Sequence, residues 1–138
     1  MKKIKCIFLI DDCEIDIWLG VKVIKRLDIS LSVITARNGE EALRKLGELI
    51  LLDTCFPEIF LVDINMPLLN GFEFIQRLKN HPMYSESQTK IILITSDLDN
   101  DLDIPKIIKN KIWNVLVKPI NELELLKMIF PRKVNLLS

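Results

Sequence analysis

The sequence predicts a doubly wound α/β domain, a five-stranded parallel sheet with helices on both faces. Three observations lead there. First, four short runs, Ile7-Phe8-Leu9-Ile10, Ile59-Phe60-Leu61-Val62, Ile91-Ile92-Leu93-Ile94 and Val115-Leu116-Val117, are continuously apolar and do not alternate with polar residues. Such runs mark strands buried on both faces, the environment of a parallel sheet covered by helices. Second, segments of helical period separate these runs, so that strand and helix alternate to the end of the chain. Third, 138 residues with 49% hydrophobic and 28% charged composition fit one ordinary globular domain. The expected core is about 3–130 of a single domain spanning 1–138, with 131–138 as a short tail.

Taken in order, each element has a local reason. A fifth, edge strand is expected over Leu31 to Ala36, where Ser and Thr mix with apolar residues. Helical stripes run through Ile17, Val21, Ile24 and Leu27, then Leu43, Leu46, Leu49 and Ile50, then Phe74, Ile75 and Leu78. The last stripe is Leu123, Leu126 and Ile129 or Phe130. Three of these helices open on an Asn three residues before a Glu: Asn38…Glu41, Asn70…Glu73 and Asn121…Glu124. That spacing predicts capping boxes, in which two side chains satisfy otherwise unpaired helix N–H groups. The fourth helix contains Pro105, which removes a hydrogen bond and clashes inside a helix. Either the helix starts late, capped by Asp103 with Pro105 in its first turn, or it is broken.

Composition also excludes several functions. Nineteen basic and nineteen acidic residues cancel, which gives no electrostatic footprint for nucleic acid or an anionic membrane. No apolar stretch reaches the length of a membrane helix. The N-terminal apolar run ends in two acids and not in a small-residue cleavage site, so cytoplasmic residence is expected. Three cysteines without CxxC spacing argue against both a disulfide framework and a zinc site.

The chemistry sits at the strand ends. The first run is followed by Asp11-Asp12, the second by Asp63, the third by Thr95-Ser96 and the fourth by Lys118-Pro119. In open parallel sheets the carboxyl ends of neighbouring strands converge on one crevice. Each residue alone is an ordinary strand-end or turn residue; the combination, always directly after a buried strand, is not. Three carboxylates in one crevice repel one another and call for a cation. All-oxygen ligands suit Mg²⁺, which keeps waters and binds phosphate oxygens, and Lys118 would hold a phosphate by charge.

On these motifs the chain resembles the response-regulator receiver domains of two-component signalling, of the stand-alone type. The matching stretches are LIDD with Asp11 and Asp12, LVDINMPLLNG with Asp63, Met66, Pro67 and Gly71, IILITS with Thr95, and VKP with Lys118 and Pro119. The resemblance implies a flavodoxin-like fold with strand order 2-1-3-4-5. It implies that Asp63 is the phosphoacceptor and that Asp11, Asp12, Asp63 and the backbone carbonyl of Asn65 hold Mg²⁺. Thr95 and Lys118 would contact phosphoryl oxygens. The implied partners are a sensor histidine kinase or phosphotransfer protein as donor and an unidentified protein target, with no nucleic acid and no membrane. The chain is then a signalling receiver, not an enzyme beyond its own phosphorylation and dephosphorylation.

Within that resemblance, Asn65 and Asp97 occupy the places that influence phosphoryl decay. The aromatic residue usual three positions before the lysine is absent: Val115 stands there, with Trp113 the nearest aromatic. The rival reading is an aspartate-nucleophile phosphatase. It would need a general acid two residues after the nucleophile, where Asn65 cannot donate a carboxylic proton. Asp97, Asp99, Asp101 and Asp103 lack the Gly and Glu of an EF-hand and are expected to form a solvated acidic loop.

Overall fold

A computed structural model describes residues 3–52 and 55–131. Five strands, β1 (Ile4–Ile10), β2 (Ser30–Ala36), β3 (Ile59–Asp63), β4 (Lys90–Thr95) and β5 (Asn114–Val117), alternate with six helical segments. These are α1 (Glu14–Leu27), α2 (Gly39–Leu51), α3 (Gly71–Lys79), α4 (Leu98–Asp101), α5 (Ile104–Lys109) and α6 (Glu122–Ile129). All strand pairings are parallel and the order is β2-β1-β3-β4-β5, with the Ser- and Thr-containing β2 at an edge as expected.

The apolar runs are continuous because successive side chains enter different cores. Phe8, Ile10, Phe60, Val62, Ile91 and Leu93 pack on one face with Leu46 of α2 and Phe74, Ile75 and Leu78 of α3. Ile7, Leu9, Ile59, Leu61, Ile92 and Ile94 pack on the other with Ile24 of α1 and Leu125 and Ile129 of α6. Burying both faces leaves no position for a polar residue until each strand ends.

The helix starts follow the capping chemistry in part. Asn70 and Glu73 form the full reciprocal box. Asn38 accepts from the Glu41 N–H at 2.7 Å, but the Glu41 carboxylate turns to the Arg37 N–H and to Lys45. Asn121 likewise accepts from the Glu124 N–H at 3.0 Å, without the reciprocal bond. In α6 the buried positions are Leu125 and Ile129, while Leu123 faces solvent, so the expected stripe is displaced. Leu126 still packs against that core. The side chain of Ile50 and the tail from 132 to 138 lie outside the described residues.

Pro105 divides the β4–β5 crossover in two. The chain makes a single helical turn, α4, then leaves helical geometry at Leu102 and restarts. Asp103 caps the restart through the Lys106 N–H, and Pro105 sits in the first turn. Both parts of the expectation hold together: a broken helix whose second half starts late. Among the described residues, no helix is long and apolar enough to cross a membrane.

Candidate functional site

Strand register places the predicted residues on one rim of the sheet. Ile10 lies opposite Val62, Asp63 opposite Ile94, and Thr95 opposite Val117. Asp11, Asp63, Thr95 and Lys118 therefore emerge side by side at the carboxyl ends of β1, β3, β4 and β5. The loop after Asp63 has to clear that rim quickly. Leu68 takes a left-handed backbone (φ 70°), and the Leu69 N–H returns to the Pro67 carbonyl at 2.8 Å. Gly71 then donates to the Ile64 carbonyl at 2.8 Å. A Cβ on Gly71 would lie 2.5 Å from the Asp63 carbonyl oxygen, so only glycine lets α3 start this close to β3.

Lys118 is the hub. Its Nζ lies 2.8 Å from Asp11 Oδ2, 3.0 Å from Asp16 Oδ2 and 3.5 Å from Asp63 Oδ2. Burial alone would lower its pKa, but hydrogen bonds to Asp11 and Asp16 and the charges of Asp63 and Asp11 outweigh that and hold the ammonium above its usual range. Asp63 is moved the opposite way for a carboxylate. Burial first, then the charge of Asp11, push it up to about 7, against a partial lowering by Lys118.

Asp11 is buried, Asp12 exposed and Asp63 buried, and one carboxylate oxygen from each lies within 4.8 Å of the others. The Asp11 carboxylate also accepts from the Cys13 N–H at 3.0 Å, which fixes it at the start of α1. Asp11, Asp16 and Asp63 surround the Lys118 ammonium, and with Asp12 the site sets four carboxylates against that one ammonium among the described residues, a formal excess of three negative charges. Three clustered carboxylate oxygens in a charge-deficient crevice fit a hard divalent cation such as Mg²⁺.

The other two predicted residues are engaged elsewhere. The Asn65 N–H donates to Asp63 Oδ1 at 3.3 Å, while its side-chain amide donates to Asp101 Oδ1 at 2.6 Å. Thr95 is fully buried, and its hydroxyl donates to Asp101 Oδ2 while accepting from the Asp97 N–H at 3.0 Å. Asp97 caps its own turn through the N–H and side chain of Asn100. A groove of about 560 Å³ opens beside this cluster, bordered by Asn65, Asn70, Phe72, Asp101, Pro105 and Lys106.

Sequence reasoning missed Asp16 and Asp101. Asp16 lies in the first turn of α1, where its carboxylate reaches Lys118 Nζ at 3.0 Å. The sequence places Asp101 in a solvated acidic loop; the structure corrects this by seating it over Thr95. Trp113 does not substitute for the missing aromatic near Thr95. It is half exposed, donates to the Met128 carbonyl at 3.2 Å and stacks under Lys90 Nζ, 4.5 Å from the ring centre.

Comparison with known proteins gives a family and a fold. The family model for the response regulator receiver domain matches residues 7–130. The Regulator of RpoS of Escherichia coli K12 is 28% identical over 103 residues, which is 74% of this chain and 27% of that protein. The transcriptional regulatory protein LnrK of Bacillus subtilis is 35% identical over 97 residues, 70% of this chain and 39% of that protein. The chain thus spans about a quarter of the length of the first of these relatives. A two-component response regulator from Cytophaga hutchinsonii superposes with a TM-score of 0.79 at 27% identity, covering 97% of this chain and 99% of the other. The Vibrio cholerae chemotaxis protein CheY4, 23% identical, shares the fold with a TM-score of 0.71 over 91% of this chain and 96% of its own.

Proposed function

The chain belongs to the response regulator receiver family, and from that premise we propose that it relays a signal by accepting a phosphoryl group on Asp63. The observation that carries this reading is the placement of Asp63: a buried carboxylate at the end of β3, within 3.5 Å of the Lys118 ammonium and grouped with Asp11 and Asp12. In the transfer, a carboxylate oxygen of Asp63 forms a bond to phosphorus as the N–P bond of a phosphohistidine breaks, and the electron pair leaves with the imidazole. The donor is the phosphohistidine of a sensor kinase or phosphotransfer protein.

Asp11, Asp12, Asp63 and the Asn65 carbonyl would hold Mg²⁺. When bound, the ion supplies positive charge to the oxygens of the transferring group. The chain's own contribution is orientation and charge. Lys118, held by Asp11 and Asp16, keeps an ammonium beside the developing negative charge, and Thr95 supplies a hydroxyl for a phosphoryl oxygen. With one phosphoryl group on Asp63 at about −2, the site needs both cations to remain bound. Water later cleaves the acyl phosphate, with Asn65 and Asp97 setting the rate. The protein acts in the cytoplasm as a receiver read by a protein target, and its only chemistry is on itself.

Phosphoramidate, a small donor with the same N–P bond, tests this. With Mg²⁺, intact mass is expected to show one added phosphoryl group, abolished by chelator and by Asp63→Ala. No gain in mass, or labelling that survives Asp63→Ala, overturns the reading.

A further inference from the structure

Asp101 belongs to neither the metal cluster nor the ion pairs of Lys118, yet it holds two residues that border Asp63. Its two oxygens take two donors at once, Oδ1 from the Asn65 amide and Oδ2 from the Thr95 hydroxyl. These are groups of the phosphoryl site itself: Asn65 also donates its backbone N–H to Asp63, and Thr95 ends the neighbouring strand. A carboxylate bridging two such donors competes for the Thr95 hydroxyl with any oxygen of a phosphoryl group on Asp63. The two cannot share the Thr95 hydroxyl, which has one proton to give. They also repel, since a phosphoryl group adds about two negative charges.

The segment that carries Asp101 is built to leave. α4 is a single turn with no buried residue, closed behind by the break at Leu102 and restarted independently by Asp103 and Pro105. The groove beside it gives the side chain room to swing out. Meanwhile Val115 is too small to serve as an aromatic relay, and Trp113 is tied to Met128 and Lys90.

We propose that Asp101 is a latch: in the unphosphorylated protein it holds the Thr95 hydroxyl and the Asn65 amide, and a phosphoryl group on Asp63 displaces it and frees the Leu98–Asp101 turn. This rests on Asp63 being the phosphoacceptor. Freed, the Thr95 hydroxyl has its proton available to the phosphoryl group, and the Leu98–Asp101 turn loses its tie to Thr95 and Asn65. Asp101 is a positioning residue; it acts through Thr95 and Asn65.

The test compares wild type with Asp101→Ala, Asp101→Asn and, as a charge control, Asp99→Asn, an exposed acid on the same turn. Phosphorylation by phosphoramidate with Mg²⁺ is followed by intact mass. Backbone hydrogen exchange of residues 97–103 is followed without metal or donor, and again with beryllofluoride and Mg²⁺. A hydrogen bond to a charged group is worth roughly a factor of ten in an equilibrium constant. Both Asp101 variants are therefore expected to take up phosphate several-fold faster, up to about tenfold, and Asp99→Asn to match wild type. Wild type should lose protection over 97–103 on loading, and Asp101→Ala should lack that protection beforehand. Loading that leaves exchange over 97–103 unchanged, uptake no faster in the Asp101 variants, or equal acceleration in Asp99→Asn overturns the latch and leaves Asp63 as acceptor. A wild type that never gains a phosphoryl group overturns both.

Discussion

Replacing Asp63 by Asn should stabilise the metal-free protein, and by an amount that depends on pH. Burial and Asp11 raise the Asp63 carboxyl from its ordinary 3.8 to about 7. Between those values the folded chain holds a proton that the unfolded chain has released, so stability falls as pH rises through that window. At about 1.4 kcal/mol per pH unit, the cost accumulated by pH 8 has an upper bound of about 4 kcal/mol. Asn carries no charge and escapes that cost, though it loses the 3.5 Å attraction to Lys118. Relaxation of the exposed rim and sharing of the repulsion with Asp11 reduce the gain to about 1–3 kcal/mol. Urea melts of wild type and Asp63→Asn in chelator, at pH 5 and pH 8, measure it. The variant should be more stable at both, with a wider gap at pH 8, and Mg²⁺ should raise the wild-type midpoint more than the variant's. A gap independent of pH, or a variant less stable at pH 8, refutes the repulsion argument.

Three further substitutions probe the supports of the site. Gly71→Ala puts a Cβ against the Asp63 carbonyl; a loss of about 1–3 kcal/mol in chemical unfolding is expected, together with slower phosphate uptake. Phe60→Ala removes a ring stacked on Phe8 with centres 5.8 Å apart; a loss of about 3–5 kcal/mol should appear in the same melts. Lys118→Gln removes the ammonium that Asp11, Asp16 and Asp63 share; uptake from phosphoramidate should fall at least about tenfold, the scale of a charge-assisted hydrogen bond.

Much of the molecule is legible in the sequence because its strongest signals are local. A run such as Ile59 to Val62 can only be buried on both faces, and the acid that ends it must stand at the sheet's edge. The same logic locates Asp11, Thr95 and Lys118, since register alone brings strand ends together. What is illegible depends on side chains choosing among partners. Glu41 could close a capping box on Asn38, yet its carboxylate takes the Arg37 N–H and Lys45 as partners. Leu123 fits a helical stripe, but α6 begins at Glu122, and its first turn faces outward while Leu125 fills the core. Asp16 and Asp101 are harder still: Asp16 meets Lys118 from the other end of the chain, and Asp101 joins nearby Thr95 to distant Asn65. The place of Asp101 over Thr95 follows from how the crossover breaks at Leu102, and an alternation of Asp residues says nothing of that.

Phosphate is expected on Asp63 and nowhere else in the acidic rim. Borohydride reduces an aspartyl phosphate to homoserine, which tandem mass spectrometry locates in the sequence. After phosphoramidate and Mg²⁺, homoserine is expected at position 63 alone, absent when chelator replaces the metal. Homoserine at position 11, 12, 16 or 101, or none anywhere in protein exposed to donor and Mg²⁺, would contradict it.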